Sequence, residues 1–176
     1  MVKLIDFIRN VPDFPVKGVQ FKDITTLCLE PIAFKDAIDR IVEEYKDKGI
    51  DKVAAIEARG YVFGSAIAYL LDAGFILIRK PGKLPYDKHC EEYELEYGTD
   101  SIEMHVDAVK EGEKVLLFDD LLATGGTAKA AIKLIEKAGG VVEGFAFVIE
   151  LTGSLHGRDL LDGYEVFSLL EIPVEE

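Results

Sequence analysis

Val115-Leu-Leu-Phe-Asp-Asp-Leu-Leu-Ala-Thr-Gly-Gly-Thr127 decides the fold. Val115 to Phe118 is an apolar run of strand length, the pattern of a strand buried on both faces. Two adjacent carboxylates, Asp119 and Asp120, follow it. The small-residue turn Ala123-Thr-Gly-Gly-Thr127 comes next, and then a helical pattern with Ala131, Leu134, Ile135 and Ala138 on one face. In an open α/β sheet, ligands bind beyond the carboxyl ends of the strands. A turn of two glycines and two threonines that opens a helix can aim amides and hydroxyls at a phosphate. The acid pair beside it suits sugar hydroxyls, or a metal ion that phosphates also hold. The stretch therefore points to a phosphorylated sugar.

Working outward, the same strand–turn–helix pattern recurs upstream. Lys52 to Ile56 reads as a buried strand that runs into Glu57-Ala-Arg-Gly60 and then a helix, Tyr61 to Leu71, apolar nearly all round. Such a helix is sandwiched, in the core or at a subunit interface. Arg59 stands at the turn, either as a surface residue or as a bidentate clamp on phosphate. Phe75 to Ile78 is the next strand, and it leads into Arg79-Lys-Pro-Gly-Lys-Leu-Pro85. Here Arg79, Lys80 and Lys83 cluster against an acidic background, which favours anion binding over a merely solvated turn. Downstream, Val141 to Ile149 is a long strand interrupted by Gly144, Glu150 to Asp159 is a connection with a turn of helix, and Tyr164 to Leu170 is a last strand. Alternation of strand and helix gives an α/β fold, a mainly parallel twisted sheet flanked by helices.

The flanking segments are less regular. Val2 to Arg9 suits a short amphipathic helix ended by Pro12. Residues 12–25 carry two prolines and Gly18, which exclude a regular helix, yet Phe14, Val16, Val19, Phe21 and Ile24 want burial. This is either a packed arm or a flap whose amides face a planar ligand. Pro31 to Lys48 is a helix with Phe34, Ile38, Ile41, Val42 and Tyr45 on one stripe, ended by Gly49. Tyr86 to Cys90 is polar and irregular. Glu92 to Tyr97 and Ser101 to Asp107 alternate strictly and read as a β-hairpin joined by Gly98-Thr-Asp100. A hairpin tethered to a basic loop could act as a lid. Periodicity makes Glu96 one of three solvated acids on one face and does not single it out.

The 176 residues are expected to form one domain, with a hood over roughly residues 1–30 and a mobile lid over roughly 82–107. A net charge of −13 argues against a nucleic-acid or acidic-membrane surface. Two cysteines without metal or disulfide spacing suit a cytoplasmic protein. Met1 to Arg9 are too short and too charged for a signal peptide to be expected, and no apolar run approaches the length of a membrane span. G-x-x-x-x-G-K-[ST] is absent, and no G-x-G-x-x-G follows a strand, so a single monophosphate fits the turn better than a triphosphate.

Leu116 to Thr127 resembles the phosphoribosyl-pyrophosphate motif of the type I phosphoribosyltransferases. The wider set resembles the members of that family that act on adenine. It comprises Asp13-Phe-Pro with Gly18-Val, Phe21-Lys-Asp-Ile24, Glu57-Ala-Arg-Gly-Tyr61, Ile78-Arg-Lys-Pro-Gly-Lys-Leu-Pro85, Leu95-Glu-Tyr-Gly98 and Glu150-Leu-Thr152. The resemblance implies purine salvage: adenine and 5-phosphoribosyl 1-pyrophosphate (PRPP) give AMP and pyrophosphate. It implies that Ala123, Thr124, Gly125, Gly126 and Thr127 hold the 5′-phosphate, and that Asp119 and Asp120 meet the ribose hydroxyls. Arg59 would grip pyrophosphate from a turn with a cis peptide near Glu57-Ala58. Arg79, Lys80 and Lys83 would add positive charge across a homodimer interface. Glu96 would be the acid/base group with Tyr97 beside it, and Val19, Gln20, Phe21, Lys22 and Leu151 would read adenine. Mg²⁺ would be chelated mainly by PRPP, with no direct protein cage. Gln20 and Lys22 depart from the family pattern, which carries an apolar residue and an arginine there. Two other readings stay open: a transferase for guanine, hypoxanthine or xanthine, and a non-catalytic PRPP-sensing regulator that binds nucleic acid. The regulator would need a basic face, which this acidic chain lacks.

Overall fold

Strand β7, Lys114–Leu122, is the middle strand of a five-stranded sheet and carries the stretch quoted above. The computed structural model describes residues 2–94 and 98–174 of the chain. They fall into two compact units, residues 1–40 and residues 41–176.

In the first unit, a 3-10 turn at Leu4–Phe7 precedes β1, Arg9–Pro12, which pairs antiparallel with β2, Gln20–Asp23. The expected helix over residues 2–9 is therefore only one turn, and Arg9 has become strand. Asp23 is the reason for the extended form. Its carboxylate accepts from Arg9 Nη2 at 2.6 Å across the ribbon and from the Thr25 amide at 2.9 Å. Phe14 and Phe21 meet edge to face at 5.1 Å and Ile24 is buried, but Phe14, Val16 and Val19, which the sequence expected to be buried, are exposed, so the segment is a β-ribbon with only part of its apolar side chains covered. Gln20 and Lys22, the two departures from the family pattern, both hydrogen-bond Asn10 on β1, each at 2.7 Å. A short helix α1, Thr25–Leu29, follows, which no periodicity announced. Helix α2, Pro31–Tyr45, starts at the expected proline and stops three residues earlier than expected, the chain then turning to Gly49 at φ +69°.

In the second unit the strand order is β4-β3-β7-β8-β9, all parallel. The strands are β3, Lys52–Ile56; β4, Gly74–Ile78; β8, Val141–Gly153; and β9, Val166–Val174. Helix α3, Arg59–Leu70, lies on one face. A side-chain carbon at Gly64 would come within 2.7 Å of the Ala55 Cβ, so the helix sits too close to the sheet for any larger residue. Helix α4, Gly126–Lys137, covers the other face, where Ala131, Leu134 and Ile135 pack with Ala54, Ile56, Leu117, Phe145 and Phe147. Alternate residues of one strand thus serve opposite layers, the signature of a sheet buried on both sides. The uninterrupted apolar runs of β3 and β7 follow from this arrangement.

β7 and β8, like β9, run further than their apolar runs. β7 continues through Asp119 and Asp120 to Leu122, and β8 through Glu150 and Leu151 to Gly153. These residues stay in the ladder because they pair with each other: Asp119 with Phe147 and Leu122 with Glu150. Gly144 does not interrupt β8. It makes room for Tyr45, whose ring would stand 2.9 Å from an added side-chain carbon, and the register against β7 shifts beside it.

A separate antiparallel hairpin is formed by β5, Lys88–Glu94, and β6, Thr99–His105. The segment expected to be irregular, 86–90, already contains the start of β5. β6 begins at Thr99, inside the segment expected to join the two strands, while residues 95–97 lie outside the described residues. Arg79 at the end of β4 bridges to Glu103 of β6 through both backbone bonds, at 2.9 and 2.7 Å. The hairpin is thus tied to the sheet.

Candidate functional site

The site lies at the carboxyl ends of β3, β4, β7 and β8, where parallel strands leave their terminal groups open to a ligand. Three strand-to-helix turns or strand ends bring the residues of the quoted stretch into contact with segments distant in sequence.

The glycine turn between β7 and α4 is built on Gly125, which adopts φ +85° as the residue preceding α4. That left-handed conformation suits glycine, which itself has no side chain to cap the helix end. The first amides of α4 are therefore left for a ligand, at the positive end of the helix dipole. A cleft of about 210 Å³ opens here, lined by Asp119, Leu122, Ala123, Thr124, Gly125 and Thr127.

Asp119 and Asp120 stand beside this cleft. Asp119 Oδ1 accepts from the Asp120 amide at 2.9 Å. Desolvation, and then the Asp120 carboxylate, push the Asp119 carboxyl well above the usual carboxylate range. Arg59 opposes this: its Nε donates to Asp120 Oδ2 at 2.5 Å. Arg59 reaches across because α3 begins at the end of β3, with Gly60 so close to β7 that an added carbon would lie 3.6 Å from Asp119 Oδ1. The turn that carries Arg59 contains a cis peptide between Glu57 and Ala58, the position the resemblance implies.

Glu57 is the residue here that the sequence reading passed over. Its Oε2 accepts from Arg79 Nε and Nη2 at 3.2 and 3.1 Å, and its other oxygen accepts from the Lys80 amide. Arg79 also donates to the Lys83 carbonyl at 3.2 Å, which folds the basic loop back on itself. The Lys80 ammonium is held by the hairpin, by Tyr93 Oη at 2.8 Å and by the Asp100 carboxylate. The hydrogen bond from Lys80 holds the Asp100 carboxyl below its ordinary range. Lys83 is exposed on the same loop. Tyr93 reaches the glycine turn as well, since an added carbon at Gly126 would meet its ring at 3.4 Å.

Among the predicted site residues, Arg59, Asp119, Asp120 and Ala123 to Thr127 thus form one cluster, with Arg79 and Lys80 at the neighbouring strand end. Leu151 is half-buried on β8, one residue beyond the partner of Leu122. Val19, Gln20, Phe21 and Lys22 belong to the first unit, where they form or adjoin β2. Glu96 and Tyr97 lie outside the described residues. No group of three or more His, Cys, Asp or Glu side chains is arranged to hold a metal ion among the described residues. No helix among them is long and apolar enough to cross a membrane.

Comparison with known proteins matches residues 29–172 to the phosphoribosyl transferase domain. A curated relative, adenine phosphoribosyltransferase of Maridesulfovibrio salexigens, is 53% identical over 97% of this chain and 100% of its own length. The crystal structure of adenine phosphoribosyltransferase from Thermoanaerobacter pseudethanolicus superposes with a TM-score of 0.93 at 49% identity, covering 97% of this chain and 98% of that one. The Saccharomyces cerevisiae enzyme, solved with an imino-altritol bisphosphate and adenine, superposes with a TM-score of 0.89 at 35% identity, covering 96% and 97% of the two chains.

Proposed function

The chain belongs to the phosphoribosyltransferase family, and from that premise we infer that it joins adenine to PRPP, releasing pyrophosphate and forming AMP. It is a pentosyl-transferring enzyme of purine salvage. The observation that carries the reading is the uncapped, glycine-opened helix α4 directly beside an acid pair that Arg59 partly compensates.

The residues act mainly by positioning and by charge. The amides of the Ala123 to Thr127 turn, with the Thr124 and Thr127 hydroxyls, hold the 5′-phosphate. Asp119 and Asp120 take the ribose hydroxyls. Arg59 grips the pyrophosphate, while Arg79, Lys80 and Lys83 neutralise charge as it leaves C1. Adenine N9 attacks C1 from the opposite face, and its proton passes to solvent or to Glu96, with Tyr97 beside it. Leu151 and the Val19 to Lys22 segment read the base. Water must be kept from an oxocarbenium-like centre, which is the work of the hairpin.

Mg²⁺ fits this site as a companion of PRPP. An acid pair whose Asp119 is driven towards protonation is short of positive charge, and its oxygens are the hard donors that Mg²⁺ prefers. When bound, the ion would neutralise charge on the pyrophosphate. A homodimer is part of the same reading. Val62, Tyr69 and Leu70 on α3 and Leu77 on β4 are exposed, an apolar face of the kind a second copy covers. Light scattering that gives a monomeric mass removes the dimer. We read the chain as cytoplasmic, supported by two cysteines without metal or disulfide spacing.

One assay tests the reaction. The chain is incubated with PRPP, Mg²⁺ and each purine in turn, and the nucleotide is identified. AMP from adenine is expected. A product only from guanine, hypoxanthine or xanthine, or none from any base, overturns it.

A further inference from the structure

Glu150, Arg158 and Ser168 form a closed network outside the residues assigned above. Arg158 Nε donates to Glu150 Oε1 at 2.8 Å, its Nη2 donates to Oε2, and its Nη1 donates to the Val166 carbonyl at 3.1 Å. Ser168 Oγ donates to Glu150 Oε2 at 2.7 Å. Glu150 is only 4% exposed, so this is a buried carboxylate with its lone pairs met. Bidentate pairing of this type fixes geometry as well as charge.

The residue before Arg158 touches the phosphate turn. Gly157 is buried and opens a 3-10 turn, Gly157–Leu161, whose Leu161 is anchored in the core under α4. A side-chain carbon added at Gly157 would fall 2.2 Å from the Ala123 carbonyl oxygen and 3.0 Å from the Gly125 amide nitrogen. The reverse construction agrees: a carbon added at Gly125 would fall 2.4 Å from the Gly157 carbonyl oxygen. Backbone therefore rests on backbone with no room for a methyl group on either side. Glu150 itself pairs in register with Leu122, the residue immediately before the turn. A mechanical circuit results. It runs from β7 into the phosphate turn, across to Gly157, through Arg158 to Glu150, and back to the strand beside Leu122.

We propose that Arg158 and Glu150 are positioning residues that clamp Gly157 against the Ala123–Gly125 turn and so hold the phosphate-binding amides in their binding geometry. This rests on the reading of that turn as the 5′-phosphate site. The turn has few devices of its own for keeping its shape, since Gly125 and Gly126 carry no side chains to pack. An external backing surface supplies what glycine cannot.

The test is steady-state kinetics on the full chain, with PRPP and adenine varied separately and folding followed by circular dichroism. Arg158→Lys keeps a cation against Glu150 but loses the fork. It should raise the KM for PRPP, with adenine KM at saturating PRPP unchanged. Arg158→Ala should raise it further, by about 10-fold or more, the scale of a misplaced binding group. Gly157→Ala should act in the same direction. Should that variant fail to fold, the arginine pair still decides. An unchanged PRPP KM in folded Arg158→Lys and Arg158→Ala, or a loss shared equally by adenine, overturns the clamp. Thr127→Val is the control for the underlying reading. If it leaves the PRPP KM unchanged, the turn is not the phosphate site. If it raises the KM while the Arg158 variants do not, only the clamp fails.

Discussion

Arg59 and Asp120, 61 residues apart, meet through a 2.5 Å hydrogen bond from Nε to Oδ2 that joins the turn after β3 to the end of β7. Asp120 is nearly buried while the Arg59 side chain remains 49% exposed, so the arginine holds the acid pair through Nε and keeps part of its surface accessible. A guanidinium with several donors can hold a carboxylate and an anionic ligand together.

Removing Arg59 should therefore hurt binding first. Arg59→Ala is expected to raise the KM for PRPP about 10- to 100-fold, the range for a lost hydrogen bond to a charged group. Steady-state kinetics with adenine saturating would read this. A KM within the error of the parent would remove Arg59 from the pyrophosphate site.

Glu96→Ala should lower turnover by about 10²-fold or more, the scale of a lost acid/base group, while the melting temperature stays close to that of the parent. The measurement is kcat with both substrates saturating. Full turnover would show that the purine proton leaves by another route.

The hairpin is held down by Lys80, which contacts Tyr93 and Asp100 together. Asp100→Asn removes the charge and, because its amide has a single accepting oxygen, keeps acceptance either for Lys80 and Tyr93 or for the Ser101 amide. Its amide exchange in β5 should quicken by up to about fivefold, because half-exposed ion pairs contribute about 1 kcal/mol or less. Exchange measured by mass spectrometry on peptides covering 88–94 would test this. Unchanged protection would mean that the backbone bridge between Arg79 and Glu103 holds the hairpin without help.

Glu150 makes stability depend on pH in a known direction. The hydrogen bond from Arg158 keeps its carboxyl below the ordinary glutamate range, against an opposing contribution from burial. A depressed carboxylate contributes stability above the unfolded pKa, roughly 4.3, and loses it as pH falls through the lower folded value. The deficit in melting temperature of Arg158→Gln should thus be full near neutrality and shrink as the pH falls below about 4. A deficit constant across that window would show that the pair contributes packing and no charge linkage.

Particular residues show where the sequence was legible. The glycine turn before α4 and the alternation of strand and helix were readable because each rests on local chemistry: apolar runs, a glycine pair, a helix periodicity. Glu150 was read as a connection, since a polar residue at the end of an apolar run resembles a strand end. It stays in β8 because Leu122 pairs with it and Arg158 satisfies its charge. Arg9 was read as helix, and Asp23, 14 residues later, makes it strand. Glu57 carried no periodic signal at all, and its role appears only once Arg79 and Lys80 are brought to it.

By itself, then, the sequence determined a parallel α/β sheet and a glycine turn opening a helix beside two acids, because these are written in neighbouring residues. Only the tertiary structure decided which distant charges complete the site. Arg59 on Asp120, Lys80 on Asp100 and Arg158 on Glu150 are contacts between residues 61, 20 and 8 positions apart. No pattern along the chain encodes them. They follow from the order and register of the strands, which set the carboxyl ends side by side and leave each buried or half-buried carboxylate to find the nearest cation.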